Sequence, residues 1–218
     1  MPPTRASAAA DELRRRILEG EYPAGMPLRQ AVLAEELGIS RIPFREALIL
    51  LEAEGLVQTE AHKGAVVAGF SPEEVEELFA FRALLEPALL EKSAPHLTAA
   101  DYAGLEAILT AYSDELRTQS PGRWGALNTE LHTRLYSRAR RPRMLATVDQ
   151  LLRSTDRFAR MQLAYTGGRE RAEREHREIV AECRAGNVKK ASRLLRRHIL
   201  TAGDALVGLL KERQPAAG

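Results

Sequence analysis

The chain has 218 residues, 44% of them apolar and 28% charged, with a formal net charge of +2 and one cysteine, Cys183. That length suits one or two domains with a real core, and a single cysteine excludes an intrachain disulfide. No apolar run approaches the roughly 18–20 residues that span a bilayer, and the first ten residues lack the apolar stretch of a signal peptide, so the expectation is a cytoplasmic protein without a membrane partner. Charge alone does not argue for a polyanion partner. Residues 1–70 hold 8 Lys/Arg against 10 Asp/Glu, and residues 71–218 hold 24 against 20.

Residues 1–8, rich in Pro and Ala, read as an unstructured start. A first helix is predicted from about Ser7 to Leu18, with Leu13, Ile17 and Leu18 inward. Arg14, Arg15 and Arg16 on it read either as a solvated face or as phosphate contacts. Pro23, Gly25 and Pro27 stop any helix in the following loop. Residues 29–54 then read as two helices joined by a tight turn. Val32, Leu33 and Leu37 form the buried stripe of the first, and Gly38 supplies the left-handed exit. Ser40 is placed to cap the second helix. Pro43 falls in its first turn, where a missing N–H costs little. Phe44, Ala47, Leu48 and Leu51 recur at helical spacing as the core face. Ser40, Arg41, Pro43 and Arg45 stay off that face, at the end of a second helix that meets bases and phosphates in helix-turn-helix proteins. Gly55–Gln58 leads into a short strand, and with the β-branched run Ala65–Ala68 it flanks the turn Ala61-His62-Lys63-Gly64; the whole reads as a hairpin wing. A cation at its tip reaches phosphate or the minor groove.

Everything after Ser71-Pro72-Glu73-Glu74 reads as helix. One helix runs to about Ser93 along Val75, Leu78, Phe79, Arg82, Leu85 and Leu89, with Pro87 as a candidate kink. Thr98 to Asp101 has a capping pattern and opens a second. Pro121-Gly122, Arg141-Pro142, Gly167-Gly168 and Gly186-Asn187 separate four more. The fold class is mainly α: an N-terminal winged helix-turn-helix over residues 1–70 and an all-α bundle of about six helices over residues 71–218.

Three of the five histidines, His132, His176 and His198, fall in the bundle. His176 and His198 each lie 11 residues from the turn at Asn187. In an antiparallel hairpin they reach the same height, roughly 16 Å from the turn at 1.5 Å per residue. Asn128 precedes His132 by four and shares its helix face. Facing helices of a bundle build metal sites in this way, and imidazoles suit Zn, Ni, Cu or Fe. The competing reading is three unrelated helical histidines.

Two resemblances bear on these alternatives. Ile17-Leu18-Glu19-Gly20, Leu33 to Arg41, Pro43-Phe44-Arg45-Glu46-Ala47-Leu48 and Leu51 to Val57 resemble the winged helix-turn-helix of the GntR family of bacterial transcription regulators. Ile42 stands where that family usually has Thr, and Phe44 replaces a smaller β-branched residue. Residues 71–215 resemble the FCD domain, the helical effector-binding domain of the FadR-type branch. The resemblance is carried by Phe81-Arg82-Ala83-Leu84-Leu85-Glu86, Asn128 to His132, Glu175-His176, Gly186-Asn187 and Arg197-His198.

The resemblance implies a homodimeric, ligand-responsive regulator, more often a repressor, that binds operator DNA through Arg29, Ser40, Arg41, Pro43, Arg45, His62, Lys63 and Gly64. It further implies a divalent metal such as Zn or Ni on His132, His176 and His198. Asn128 stands at the fourth ligand position, where the family commonly has Asp. The metal then binds more weakly, binds through three imidazoles, or is absent. A small organic acid as effector would meet the metal and Asn128. Arg82 either contacts that effector or pairs internally with Glu86, one turn on. Arg153 and Arg157 are weaker effector candidates, and Trp124 and Tyr165 read as packing residues. A three-His metal with an open position also fits a metal-dependent enzyme, although no general base or nucleophile motif accompanies it.

Overall fold

The computed structural model describes residues 4–19, 21–69, 71–118 and 124–213. Two compact units divide the chain between Ser71 and Pro72, and the end of the last helix from Leu209 is grouped with the first.

The first unit holds α1 (Arg5–Leu18), α2 (Gln30–Glu36), α3 (Arg41–Ala53), β1 (Val57–Glu60) and β2 (Gly64–Val67). Thr4 caps α1 by accepting from the Ser7 backbone N–H at 3.1 Å. Ala6, Ala9, Ala10 and Leu13 are buried at the three-and-four spacing of one helix face. The three alanines let α1 lie close on α3, whose Phe44, Ala47, Leu48 and Leu51 fill the core. Gly38 ends α2 with φ of +64°, a conformation that costs a side-chain-bearing residue about 1 kcal/mol or more.

Val32 is 58% exposed, contrary to the expected stripe. The short α2 buries Leu33 and Ala34 and half-buries Leu37, so the inward face is rotated one residue from Val32. Ser40 holds the extended N-cap conformation of α3, but its side chain makes no capping hydrogen bond.

β1 and β2 pair antiparallel with Val57 opposite Val67 and Glu60 opposite Gly64. The segment expected to be only a loop pins this hairpin. Gly25 donates to the Val67 carbonyl at 2.9 Å, Val67 donates to the Met26 carbonyl at 3.0 Å, and Leu28 donates to the Ala65 carbonyl at 2.8 Å. The chain from Gly25 to Leu28 thus runs along the outer edge of β2.

The second unit is helical: α4 (Pro72–Ser93), a 3₁₀ turn (Ala94–His96), α5 (Ala99–Thr118), α6 (Trp124–Tyr136), α7 (Pro142–Tyr165), α8 (Arg169–Arg184) and α9 (Val188–Arg213). No strand follows β2 among the described residues. Pro121 and Gly122, expected to separate adjacent helices, lie outside those residues.

The expected cap before α5 is reciprocal. Thr98 N donates to Asp101 Oδ2 at 2.9 Å, and Asp101 N donates to Thr98 Oγ1 at 3.3 Å. α4 runs through Pro87 and packs on α6 and α7, while α5 packs on α6 and α8. Gly203 brings α9 close to α4, since a Cβ there would sit 2.9 Å from that of Phe79. Gly186, at φ of +78°, and Asn187 turn α8 back into α9. This central packing sets α4, α6, α8 and α9 around one buried polar cluster. Among the described residues no helix is long and apolar enough to cross a membrane.

Candidate functional site

His132 on α6, His176 on α8 and His198 on α9 converge in the bundle core. All three are buried, and their ligand atoms lie within 4.8 Å of one another. The Nε2 atoms of His176 and His198 are 3.1 Å apart.

Carboxylates hold two of the rings from behind. His132 Nδ1 lies 2.6 Å from Glu86 Oε2, and His198 Nδ1 lies 2.7 Å from Glu175 Oε2. An imidazole facing a carboxylate through Nδ1 carries its proton there and leaves Nε2 as a bare lone pair. His132 Nε2 has no hydrogen-bond partner in its buried position, and neither has His176 Nδ1. Burial, reinforced for His176 by the neighbouring histidines, holds the pKa values of both below the ordinary histidine range, so both rings are neutral at pH 7. Neutral, oriented imidazoles backed by carboxylates are the form in which histidine binds a transition metal. An ion with Zn–N bonds of about 2.0–2.1 Å would engage His132 Nε2 and the close Nε2 pair of His176 and His198 together. The residues present therefore fit a divalent transition metal.

Glu86 is fully buried and accepts three bonds. Arg82 Nε donates to Oε1 at 2.5 Å, while the Tyr136 hydroxyl donates to Oε2 at 2.6 Å and shares that oxygen with His132. Burial opposes its charge, but the Arg82 guanidinium and the hydrogen bonds outweigh that and keep it ionised well below the usual carboxylate range. Arg82, 3% exposed, also donates to Thr155 Oγ1 at 3.3 Å. The internal pair with Glu86 is thus present. Arg82 still lines a cavity of about 20 Å³ together with Asn128, Gln162 and His198. Asn128 is buried on the wall of that cavity.

A larger open groove of about 780 Å³ follows the outer face of α6 past Thr129, Thr133 and Ser137 to Arg153, and no histidine lines it. Arg153 is exposed and paired with Asp149. The side chains of Arg157 and Trp124 lie outside the described residues, and Tyr165 is half-buried. Glu86, Glu175 and Tyr136 were not singled out as site residues from the sequence. The signals for them were a carboxylate next to His176, a tyrosine four after His132 and a carboxylate four after Arg82.

In the first unit, Arg41, Ile42 and Arg45 are exposed on the opening turn of α3, and Pro43 is half-buried. Arg29 precedes α2 and is exposed. No ion pair occupies Arg29, Arg41 or Arg45 among the described residues, whereas Arg14 pairs with Glu54 and Asp11, Arg15 with Glu12 and Glu21, and Arg16 with Glu12 and Glu36. The basic run on α1 is therefore a structural network rather than a free cationic face. At the hairpin tip His62 takes φ of +66° and Gly64 +75°, and Lys63 pairs with Glu60 at 2.8 Å.

Comparison with known proteins agrees with both halves. Residues 5–67 match the family described as bacterial regulatory proteins, gntR family, and residues 77–201 match the FCD domain. An uncharacterised HTH-type transcriptional regulator of Agrobacterium vitis is 30% identical over 136 residues, covering 60% of this chain and 78% of that protein. The gluconate operon transcriptional repressor of Bacillus subtilis is 39% identical over 83 residues, which is 38% of this chain and only 34% of that protein. The crystal structure of a GntR family transcriptional regulator from Pseudomonas syringae pv. tomato shares 32% identity and a TM-score of 0.55, covering 97% of this chain and 91% of that one. These families and names are those of transcriptional regulators, and none supports the metal-dependent enzyme alternative. The chain belongs to the GntR family of bacterial transcriptional regulators and carries an FCD domain.

Proposed function

We propose that the protein is a cytoplasmic, homodimeric repressor whose operator affinity is set by a small organic acid bound beside a divalent metal on His132, His176 and His198. The observation that carries this reading is the buried histidine cluster, with His132 Nε2 left bare and Glu86 and Glu175 holding the His132 and His198 rings from behind. When bound, the metal supplies a positive coordination position for a carboxylate. Asn128 is neutral, so the four-residue set brings no charge of its own, and an anionic ligand gains from the uncompensated metal charge. Asn128 and Arg82, on the cavity wall, are the groups placed to hydrogen-bond the rest of the acid. Arg82 therefore has two roles in this reading: its Nε fixes Glu86, and its remaining guanidinium edge meets the ligand.

A cavity of about 20 Å³ has room for about one water molecule. An organic acid must push its walls apart, and those walls come chiefly from α4, α7 and α9. Binding is thereby coupled to helix movement, which is the differential interaction that regulation requires.

DNA binding is assigned to Arg29, Ser40, Arg41, Pro43 and Arg45 around the start of α3, with His62, Lys63 and Gly64 on the wing. The unpaired guanidiniums support this, although the unit's total charge is negative. Phe81 and Leu84, 46% and 65% exposed and three residues apart on α4, are the proposed contact between two copies. Two copies would read two half-sites related by twofold symmetry. Burial pushes the lone thiol, Cys183, up to about 12, which suits an unreactive structural cysteine.

The test is electrophoretic retardation of DNA selected from a random duplex library. Selection of one sequence, its loss with Arg45→Ala, and its release by a carboxylate only when zinc or nickel is present support the reading. Carboxylate release that is unchanged in His132→Ala and His176→Ala refutes the metal-centred half of it.

A further inference from the structure

The opening turn of α3 carries an apolar side chain where exposure would be expected to favour a polar one. Phe44, Ala47, Leu48 and Leu51 take the buried face, and Arg41, Ile42, Arg45, Glu46 and Ile49 take the opposite one. Ile42 is 73% exposed, more than any other large apolar side chain among the described residues. It is flanked on the helix surface by Arg41 and Arg45, neither of which has an ion-pair partner among the described residues. A β-branched side chain has restricted χ1 freedom. Ile42 is therefore a stiff apolar knob between two free guanidiniums, at the helix end that enters the major groove. Ile49 shares the face but lies two turns on, about 10 Å further from that end.

Among the four bases only thymine presents a methyl group in the major groove. We propose that Ile42 packs on the C5-methyl of one thymine in each recognised half-site and thereby specifies that base, while Arg41 and Arg45 hold phosphates or guanine edges on either side. This rests on the assignment of α3 as the DNA-reading helix. Apolar contact is the only readout an isoleucine offers, since its side chain has no hydrogen-bonding group. Its exposure also means that it contributes little to the core, so it is free to be varied.

The experiment takes the sequence selected by the wild-type chain and replaces each thymine, one at a time, by deoxyuridine, which lacks only the methyl. One position should lose about fourfold in affinity, the factor for returning a single buried methyl to water. With Ile42→Ala or Ile42→Ser that penalty should vanish at that position alone, while penalties at other thymines persist. Circular dichroism should show both variants folded, because surface substitutions of this kind usually change stability by less than about 0.5 kcal/mol. A wild-type complex indifferent to every deoxyuridine overturns the inference, as does a penalty that survives in Ile42→Ala. A change in sedimentation of Ile42→Ala without DNA also overturns it, by making the side chain a protein contact. Loss of binding with Arg45→Ala keeps the reading of α3 intact in each of these cases. Failure to select any sequence removes that reading and this inference with it.

Discussion

Replacing Glu86 with Gln tests the polar core most sharply. The carboxylate accepts from Arg82 Nε on one oxygen and from both His132 Nδ1 and the Tyr136 hydroxyl on the other. A glutamine of the same shape has one accepting oxygen and one donating NH₂. Turned one way, it sets NH₂ against the guanidinium. Turned the other way, it sets NH₂ against the imidazole and the phenol. Either way the Arg82 charge, 3% exposed, loses its counter-ion.

Breaking a buried ion pair from one side costs about 3–5 kcal/mol. For a chain of this size each kcal/mol moves the midpoint by about 2–4 °C. The metal-free variant should therefore melt roughly 6–20 °C below wild type, followed by circular dichroism at 222 nm. Removing both partners, as Arg82→Met with Glu86→Leu, should restore much of that loss, because no lone charge remains. A Glu86→Gln midpoint within about 2 °C of wild type would refute the idea that Glu86 holds Arg82 and the His132 ring.

Three further expectations follow from the same geometry. Glu175→Gln should weaken zinc binding by about 10–100-fold, the usual worth of a carboxylate behind a ligand imidazole; competition with a chromophoric chelator reads this, and an unchanged affinity contradicts it. The metal-free protein should lose stability as pH falls below about 6.5, because the unfolded chain takes up protons that buried His132 and His176 refuse. The slope is at most about 1.4 kcal/mol per pH unit for each histidine, and Glu86 adds nothing in that window because its own depressed pKa moves its loss to stronger acid; a flat midpoint between pH 7.5 and 5.5 contradicts the assignment of neutral buried rings. Arg29→Ala should lower the slope of log affinity against log salt by about 0.9 if its guanidinium meets one phosphate, and an unchanged slope removes it from the interface.

The fold was legible where local chemistry decides it. The Gly38 exit, the Thr98–Asp101 capping pair and the Gly186 turn are each set by residues within one helical turn, and each is where the sequence placed it. The meeting of His176 and His198 was legible for a related reason. Equal spacing from one turn fixes equal height in a helical hairpin, and their Nε2 atoms lie 3.1 Å apart.

What was not legible depends on contacts across the chain. Glu86 meets His132 across 46 residues, and no periodicity encodes that meeting. The pairing of Gly25 to Leu28 with β2 is long-range too, and a four-residue segment that contains Pro27 gives no strand pattern. Val32 failed because α2 is too short for its stripe to be told from one rotated by a single residue. Total charge in the first unit does not report where its cations are available, because Arg14, Arg15 and Arg16 pair with acids on and around α1 while Arg41 and Arg45 have no ion-pair partner among the described residues.

Metal content per chain, measured by elemental analysis of tagless protein after gel filtration, tests the central claim most directly. The account predicts close to one divalent transition ion per chain, lost in His132→Ala and His176→Ala variants that remain folded. No bound metal, even after incubation with excess zinc or nickel and removal of the free ion, would contradict it and leave the three histidines as a polar pocket.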